Sequence, residues 1–309
     1  MRIHKQITAA LLLAGLVAAG CSNSDKASAT SSPEAQPAAR VAPVSLTTTD
    51  SPAPNPTPNV AGPVTFVDGE AAYRAGNYGE ATRVFEKYTK QQPDNPWGQF
   101  MYGLSAWKSG DLAKAEMALE EALRIDPEHF KSLVNLSRIL LDQRRYDDAL
   151  ERLTVAGELD PNSVDVHRLL GRTYNGQGKF DEAVEAYRRA IELDDKDAWS
   201  MNNLGHLFLV QGRPQDALPL LARAVLLKKD VAVFHNNLGM ALEHTGRFTA
   251  AATAYNSAVT LDPNFTKAQK NLARVAAVKV SPEEPFDLEA IAGQVEQTEK
   301  PVDETTTNH

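Results

Sequence analysis

Asparagines, arginines and one cysteine carry most of the chemistry that this sequence offers. Asn203, Asn237 and Asn271 stand 34 residues apart, and Asn135 lies two such steps before Asn203. An amide side chain has both a donor and an acceptor, so it can pair with the N–H and the C=O of an extended peptide. A row of amides at one interval holds a chain largely irrespective of its sequence. Arg138, Arg172, His206 and Arg274 keep the same interval three residues further on, with Met240 in the remaining place. Arg168 and Lys270 add cations one residue ahead of the first row. Guanidinium forks match carboxylates, so the cations suit a partner with Asp, Glu or a free C-terminus. The duller alternative, that both rows only keep an exposed face soluble, stays open.

No set of side chains adds up to a catalyst, and no enzyme activity is expected. There is no Gly-rich phosphate loop, no His-Glu-x-x-His and no Gly-x-Ser-x-Gly. His206, His235 and His244 fall at different places of the 34-residue interval, so neither a metal site nor a cofactor is expected. Cys21 is the only cysteine, which excludes an internal disulfide. A formal net charge of −8 over 309 residues gives no reason to expect nucleic acid as a partner.

The elements that position these side chains follow from the interval itself. Asn202-Asn203-Leu204-Gly205 returns as Asn236-Asn237-Leu238-Gly239. Extending the period gives six units, 62–95, 96–129, 130–163, 164–197, 198–231 and 232–265. Their eighth places read Gly69, Gly103, Ser137, Gly171, Gly205 and Gly239, and their twentieth places are all Ala. A fixed period of this size means a repeat architecture. Small residues, large apolar residues and Asp-Pro endings in phase resemble the tetratricopeptide repeat family across residues 62–265. The resemblance implies an all-α fold, an α-solenoid forming a right-handed superhelix of six helix pairs A and B. Residues 266–280 repeat the A-helix pattern once and stop, as a solubilising cap does. Unit one opens on Gly62-Pro63, so its A-helix is expected to begin late. Pro219 falls early in a B-helix and is expected to distort it at most slightly.

In that family the concave groove is lined mainly by A-helices. The resemblance therefore places Asn135, Asn203, Asn237 and Asn271 in the groove, together with Arg138, Arg168, Arg172, His206, Lys270 and Arg274. The row is similar to the asparagine ladder in the repeat domain of O-GlcNAc transferase, with Leu169 as its one break. A carboxylate clamp is only partly supplied, by Arg168, Arg172 and Asn203; Val233 and Asn237 stand where a basic pair is needed. At the N-terminal end Phe66, Tyr73, Trp97, Phe100 and Trp107 bring aromatics to groove or near-groove places. They read either as a binding surface or as filling between units.

Residues 1–20 have a positive head and a short apolar run, and small residues then precede Cys21. This resembles a bacterial lipoprotein signal with Cys21 as the lipidated residue, although Ala18 stands where Leu is usual. Two or three acyl chains would anchor it stably, and Ser22 after the cysteine favours the outer membrane. Residues 21–61 are a linker rich in Pro, Ser, Thr and Ala, with prolines alternating from Pro52 to Pro58. Residues 281–309 form an acidic, mostly disordered tail in which Leu288, Ile291 and Val295 share one side of a short helix. One expectation is that this tail docks into the basic groove. The resulting expectation for function is a lipid-anchored, periplasm-facing scaffold that holds protein or peptide partners and assists assembly of a pilus or secretion system. The alternatives are an adaptor that recruits peptidoglycan hydrolases and a non-catalytic subunit of an envelope enzyme. The sequence leaves oligomeric state open.

Overall fold

A computed structural model describes residues 62–278 and 286–295. Cys21, the signal, the linker and the rest of the tail lie outside the described residues. Within them every regular element is a helix. In order these are α1 (Phe66–Arg74), α2 (Tyr78–Gln91), α3 (Pro96–Ser109), α4 (Leu112–Ile125), α5 (Phe130–Asp142), α6 (Tyr146–Leu159) and α7 (Val164–Gly176). Then follow α8 (Phe180–Leu193), α9 (Ala198–Val210), α10 (Pro214–Leu227), α11 (Ala232–His244), α12 (Phe248–Leu261), α13 (Thr266–Ala276) and α14 (Leu288–Ala292). Among the described residues, no helix is long and apolar enough to cross a membrane.

Local chemistry sets the helix ends. Thr65 and Asp68 make a capping box at the start of α1, after Gly62-Pro63 has delayed the helix to Phe66. Asn95 caps α3, with Pro96 in the first helical position. Three residues separate α9 from α10, a link of about 11 Å at most. A 13-residue helix such as α9 is about 20 Å long, so α10 must run back alongside it. Gly212 makes that reversal with φ 72°, and Arg144 takes the same left-handed backbone, φ 62°, between α5 and α6. Pro219 sits inside α10 without ending it.

Packing within a unit turns on its eighth residue. A Cβ on Gly171 would come within 2.5 Å of the Tyr187 ring, and one on Gly205 within 2.6 Å of Leu221 Cγ. Helix B thus pushes a large side chain against bare backbone of helix A. Such contacts repeat along an α-solenoid of stacked helix pairs, with α13 covering α12. The buried side chains form three clusters. One centres on Phe85 and Tyr102. A second runs from Phe100 to Val166 and Leu169 of α7. A third begins at Ala183 and Tyr187 of α8 and continues to the described end of the chain. Unit four is therefore divided between two cores.

Helix α14 packs on α10. Ala292 and Val295 are buried there, with Phe286, Leu288 and Ile291 partly covered. The reason lies on α10. Its Ala222 is 0% exposed, whereas the matching residues Glu120, Thr154, Arg188 and Asn256 are exposed. Residues 286–295 thus rest on a B-helix, outside the A-helix face to which the sequence assigns the basic groove.

Candidate functional site

The polar rows on the A-helices come together, and they do so largely with each other. Asn237 Nδ2 donates to Asn202 Oδ1 at 2.9 Å, and Asn271 Nδ2 donates to Asn236 Oδ1 at 3.0 Å. Asn202 and Asn236 in turn donate to their neighbours Asn203 and Asn237 at 3.4 Å. A chain of amides therefore runs from α9 across α11 to α13. Asn135 stands apart from it: its Nδ2 donates to the Lys131 carbonyl at 2.7 Å, and its Oδ1 accepts from Arg138 at 3.1 Å.

The arginines behave likewise. Arg138 of α5 pairs with Asp165 of α7 at 2.9 Å, and Arg172 of α7 reaches back to Asp142 of α5 at 3.2 Å. Arg168 bonds Asp165 and also Asp197, the residue just before α9, the latter at 2.9 Å. Asp197 is only 5% exposed. Arg274 of α13 grips Glu243 of α11 with two hydrogen bonds, at 2.8 and 2.6 Å, and Tyr255 donates to the same carboxylate. Burial alone would raise the Glu243 pKa; the bonds from Arg274 and Tyr255 outweigh it and hold it below the usual carboxylate value. Burial, then the charges of Arg168 and Arg172, lowers the Arg138 pKa. Successive A-helices from α5 to α13 are thus stitched by side-chain hydrogen bonds between units.

Some polar groups are left over, and they cluster toward α9 and α13. Among the described residues, Asn203 Nδ2 and Asn271 Oδ1 have no hydrogen-bond partner, and Lys267 and Lys270 are exposed without an ion pair. His206, partly buried on α9, has its pKa lowered by burial and then by Lys267. Lys267 is a member of this group that the two rows did not name. Reading only cations and sixth-place amides also hid Asp142, Asp165, Asp197, Glu243, Asn202 and Asn236. The signal for them was a second Asn directly before Asn203 and Asn237 and acids on or next to the same helices. Among the described residues, no group of three or more His, Cys, Asp or Glu side chains is placed to hold a metal.

The aromatic end is different. Phe66, Tyr73, Tyr88, Trp97, Phe100, Met101 and Leu104 line a cavity of about 620 Å³, with Glu70, Arg74, Asn95 and Lys131 at its polar parts. Phe66 meets Tyr88 edge-on at 5.7 Å, and Trp97 meets Phe100 at 5.9 Å. Lys131 Nζ lies 5.0 Å from the Trp97 ring centre. Behind Trp97 sits His129, 4.6 Å away ring to ring; burial lowers its pKa, Asp126 opposes that and Lys131 adds to it. Trp107 instead packs against the second core cluster. The aromatics thus divide between a cavity wall and filling.

Comparison with known proteins fits this geometry. Family models described as tetratricopeptide repeat match residues 106–173, and 67–130 with 202–264; one described as TPR repeat matches 171–212. A TPR repeat-containing thioredoxin of Arabidopsis thaliana is 30% identical over 101 residues, which is 33% of this chain and 15% of that protein. Among solved structures, the APC/C hetero-tetramer Cut9-Hcn1 is similar with a TM-score of 0.61 and 20% identity, over 67% of this chain and 41% of that one. A tetratricopeptide repeat protein from Parabacteroides merdae gives 0.56 at 16% identity, over 67% and 81%. A thermophilic TPR protein of Thermus thermophilus gives 0.51 at 19%, over 60% and 100%. At these identities the structural likeness speaks to fold alone. The matched models run without a gap from residue 67 to residue 264, over the helices whose packing is set by the 34-residue period. The chain belongs to the tetratricopeptide repeat family.

Proposed function

We propose that this chain is a protein-binding scaffold, lipid-anchored through Cys21 in a bacterial envelope. In this reading it faces the periplasm from the outer membrane and assists assembly of a pilus or secretion system. The ligand is an extended peptide with an acidic residue or a free C-terminus, held along α9, α11 and α13. The observation that carries the site is the cluster of unpaired groups there: Asn203, His206, Lys267, Lys270 and Asn271. Asn203 and Asn271 offer one donor and one acceptor to a peptide backbone. The two ammonium groups offer charge to a carboxylate. The amide chain beneath them is already bonded, so the site is preorganised. The reading of the anchor rests on residues 1–21.

A crosslinking pull-down from native membranes tests this. It compares wild type with the variant Asn203→Ala, Lys267→Ala and Lys270→Ala, with Cys21 kept in both. Asn237 stays unaltered because it joins units. Wild type is expected to capture a pilus or secretion component, and the variant about a tenth of it or less, since two ammonium contacts and one amide are lost. Equal capture by both chains removes the site. Capture of a peptidoglycan hydrolase instead would favour the recruiting adaptor. A Cys21→Ala chain that stays in the membrane fraction would remove the anchor.

A further inference from the structure

The aromatic cavity at the N-terminal end takes no part in the site just proposed. Its walls are rings from α1, α2 and α3, and its charges are largely engaged. Arg74 is paired with Glu70 at 3.2 Å, and Lys131 lies against Trp97. Trp97 is 46% exposed and Val67, on the same helix as Phe66, 69%. An open, nearly neutral trough of rings suits an uncharged extended chain, and prolines above all. A polyproline II segment is pre-extended, so little entropy is lost when its rings seat against Trp and Tyr.

A proline-rich stretch of that composition lies in this chain, a few residues away in sequence. Residues 51–58 read Ser-Pro-Ala-Pro-Asn-Pro-Thr-Pro and carry no charge. The described chain begins at Gly62, four residues after Pro58 and four before Phe66 of the cavity wall. The Gly62 carbonyl accepts from Lys87, next to Tyr88 of that wall, so the chain enters at the cavity's end of the unit. Asn59 and Gly62-Pro63 supply residues that favour a reversal. Eight residues from Pro58 to Phe66 reach about 27 Å, whereas the cavity follows α1 for about 12 Å from Phe66 to Arg74. We infer that the trough of Phe66, Tyr73, Tyr88, Trp97 and Phe100 is a polyproline site whose occupant is this chain's own segment 51–58. The tether gives that segment an effective concentration in the millimolar range, so even weak seating fills the site. A partner must then displace it to reach the aromatic end.

Indole ¹⁵N NMR of the full chain, with the signals of Trp97, Trp107 and Trp199 assigned, tests the inference. Wild type is compared with a variant in which Pro52, Pro54, Pro56 and Pro58 are all replaced by Ser. The Trp97 signal is expected to move between the two while that of Trp199 stays. A synthetic peptide of residues 49–60 should return it in the variant, and should bind wild type on the order of tenfold more weakly because the site is filled. Trp97→Ala in the four-serine variant should abolish peptide binding with helical circular dichroism unchanged, since this ring is at the surface. An unmoved Trp97 signal overturns the inference, as does a peptide that fails to bind the variant. If an unrelated proline-rich peptide binds and residues 49–60 do not, the occupant comes from elsewhere and the inference also falls.

Discussion

Arg144 is the only non-glycine among the described residues with a positive φ. It stands in a turn whose counterparts are Gly76, Gly110, Gly178, Gly212 and Gly246, all left-handed. A Cβ in that conformation crowds the carbonyl oxygen and costs about 1 kcal/mol or somewhat more. The Arg144 side chain is exposed and shows no ion pair among the described residues. Arg144→Gly is therefore expected to raise stability by about 1 kcal/mol, less the extra freedom glycine gives the unfolded chain. Urea unfolding checks it, and a lower midpoint would show that Arg144 is stabilised by something other than its backbone. At this scale the sequence was half legible. The glycines at the eighth place announced a close approach, and Gly171 against Tyr187 is one. The partners of the arginines in other units were not legible, because Arg138 and Asp165, Arg168 and Asp197, and Arg172 and Asp142 lie about 30 residues apart and only the stacking of units brings them together.

At the scale of elements, the helix limits follow the period closely, since caps and turn glycines are local chemistry. The position of α14 does not follow from its own sequence. Leu288, Ile291 and Val295 told that one side would be buried, and were silent on where. The answer is a contrast inside the array: Ala222 and Leu218 make α10 apolar on a face where α4 carries Glu116 and Glu120 and α8 carries Arg188. Restoring a charge should undo the contact. Ala222→Glu is expected to strip hydrogen-exchange protection from residues 286–295 and expose them to limited proteolysis, while α10 itself stays protected. The carboxylate would otherwise be buried without a partner, which costs several kcal/mol. Unchanged protection would mean that α14 is held by contacts other than those with α10.

At the scale of the whole solenoid, stability is spread over neighbouring units, but not evenly. The two larger cores meet within unit four, where Val166 and Leu169 of α7 belong to one and Ala183 and Tyr187 of α8 to the other. The charged network of Arg138, Arg168, Arg172, Asp142, Asp165 and Asp197 spans this junction. Ion pairs near the surface weaken as salt is raised, and several members of the network are half-exposed. Raising salt is thus expected to lower hydrogen-exchange protection in α7 and α8 before it does so in α11 and α12. Protection that falls uniformly would place no weakness at unit four. The period, read from sequence, gives identical units; the division arises because the buried surface changes from one unit to the next.

The stitching between A-helices stops at α5. From α5 to α13 each step has at least one side-chain hydrogen bond across it. Among the described residues none crosses from α1 to α3, where rings face each other over a cavity. Hydrogen bonds fix distance and angle narrowly, whereas ring contacts tolerate sliding with little loss. The array is accordingly braced like a ruler from α5 to α13, and held like a hinge between α1 and α3, where ring contacts alone set the spacing.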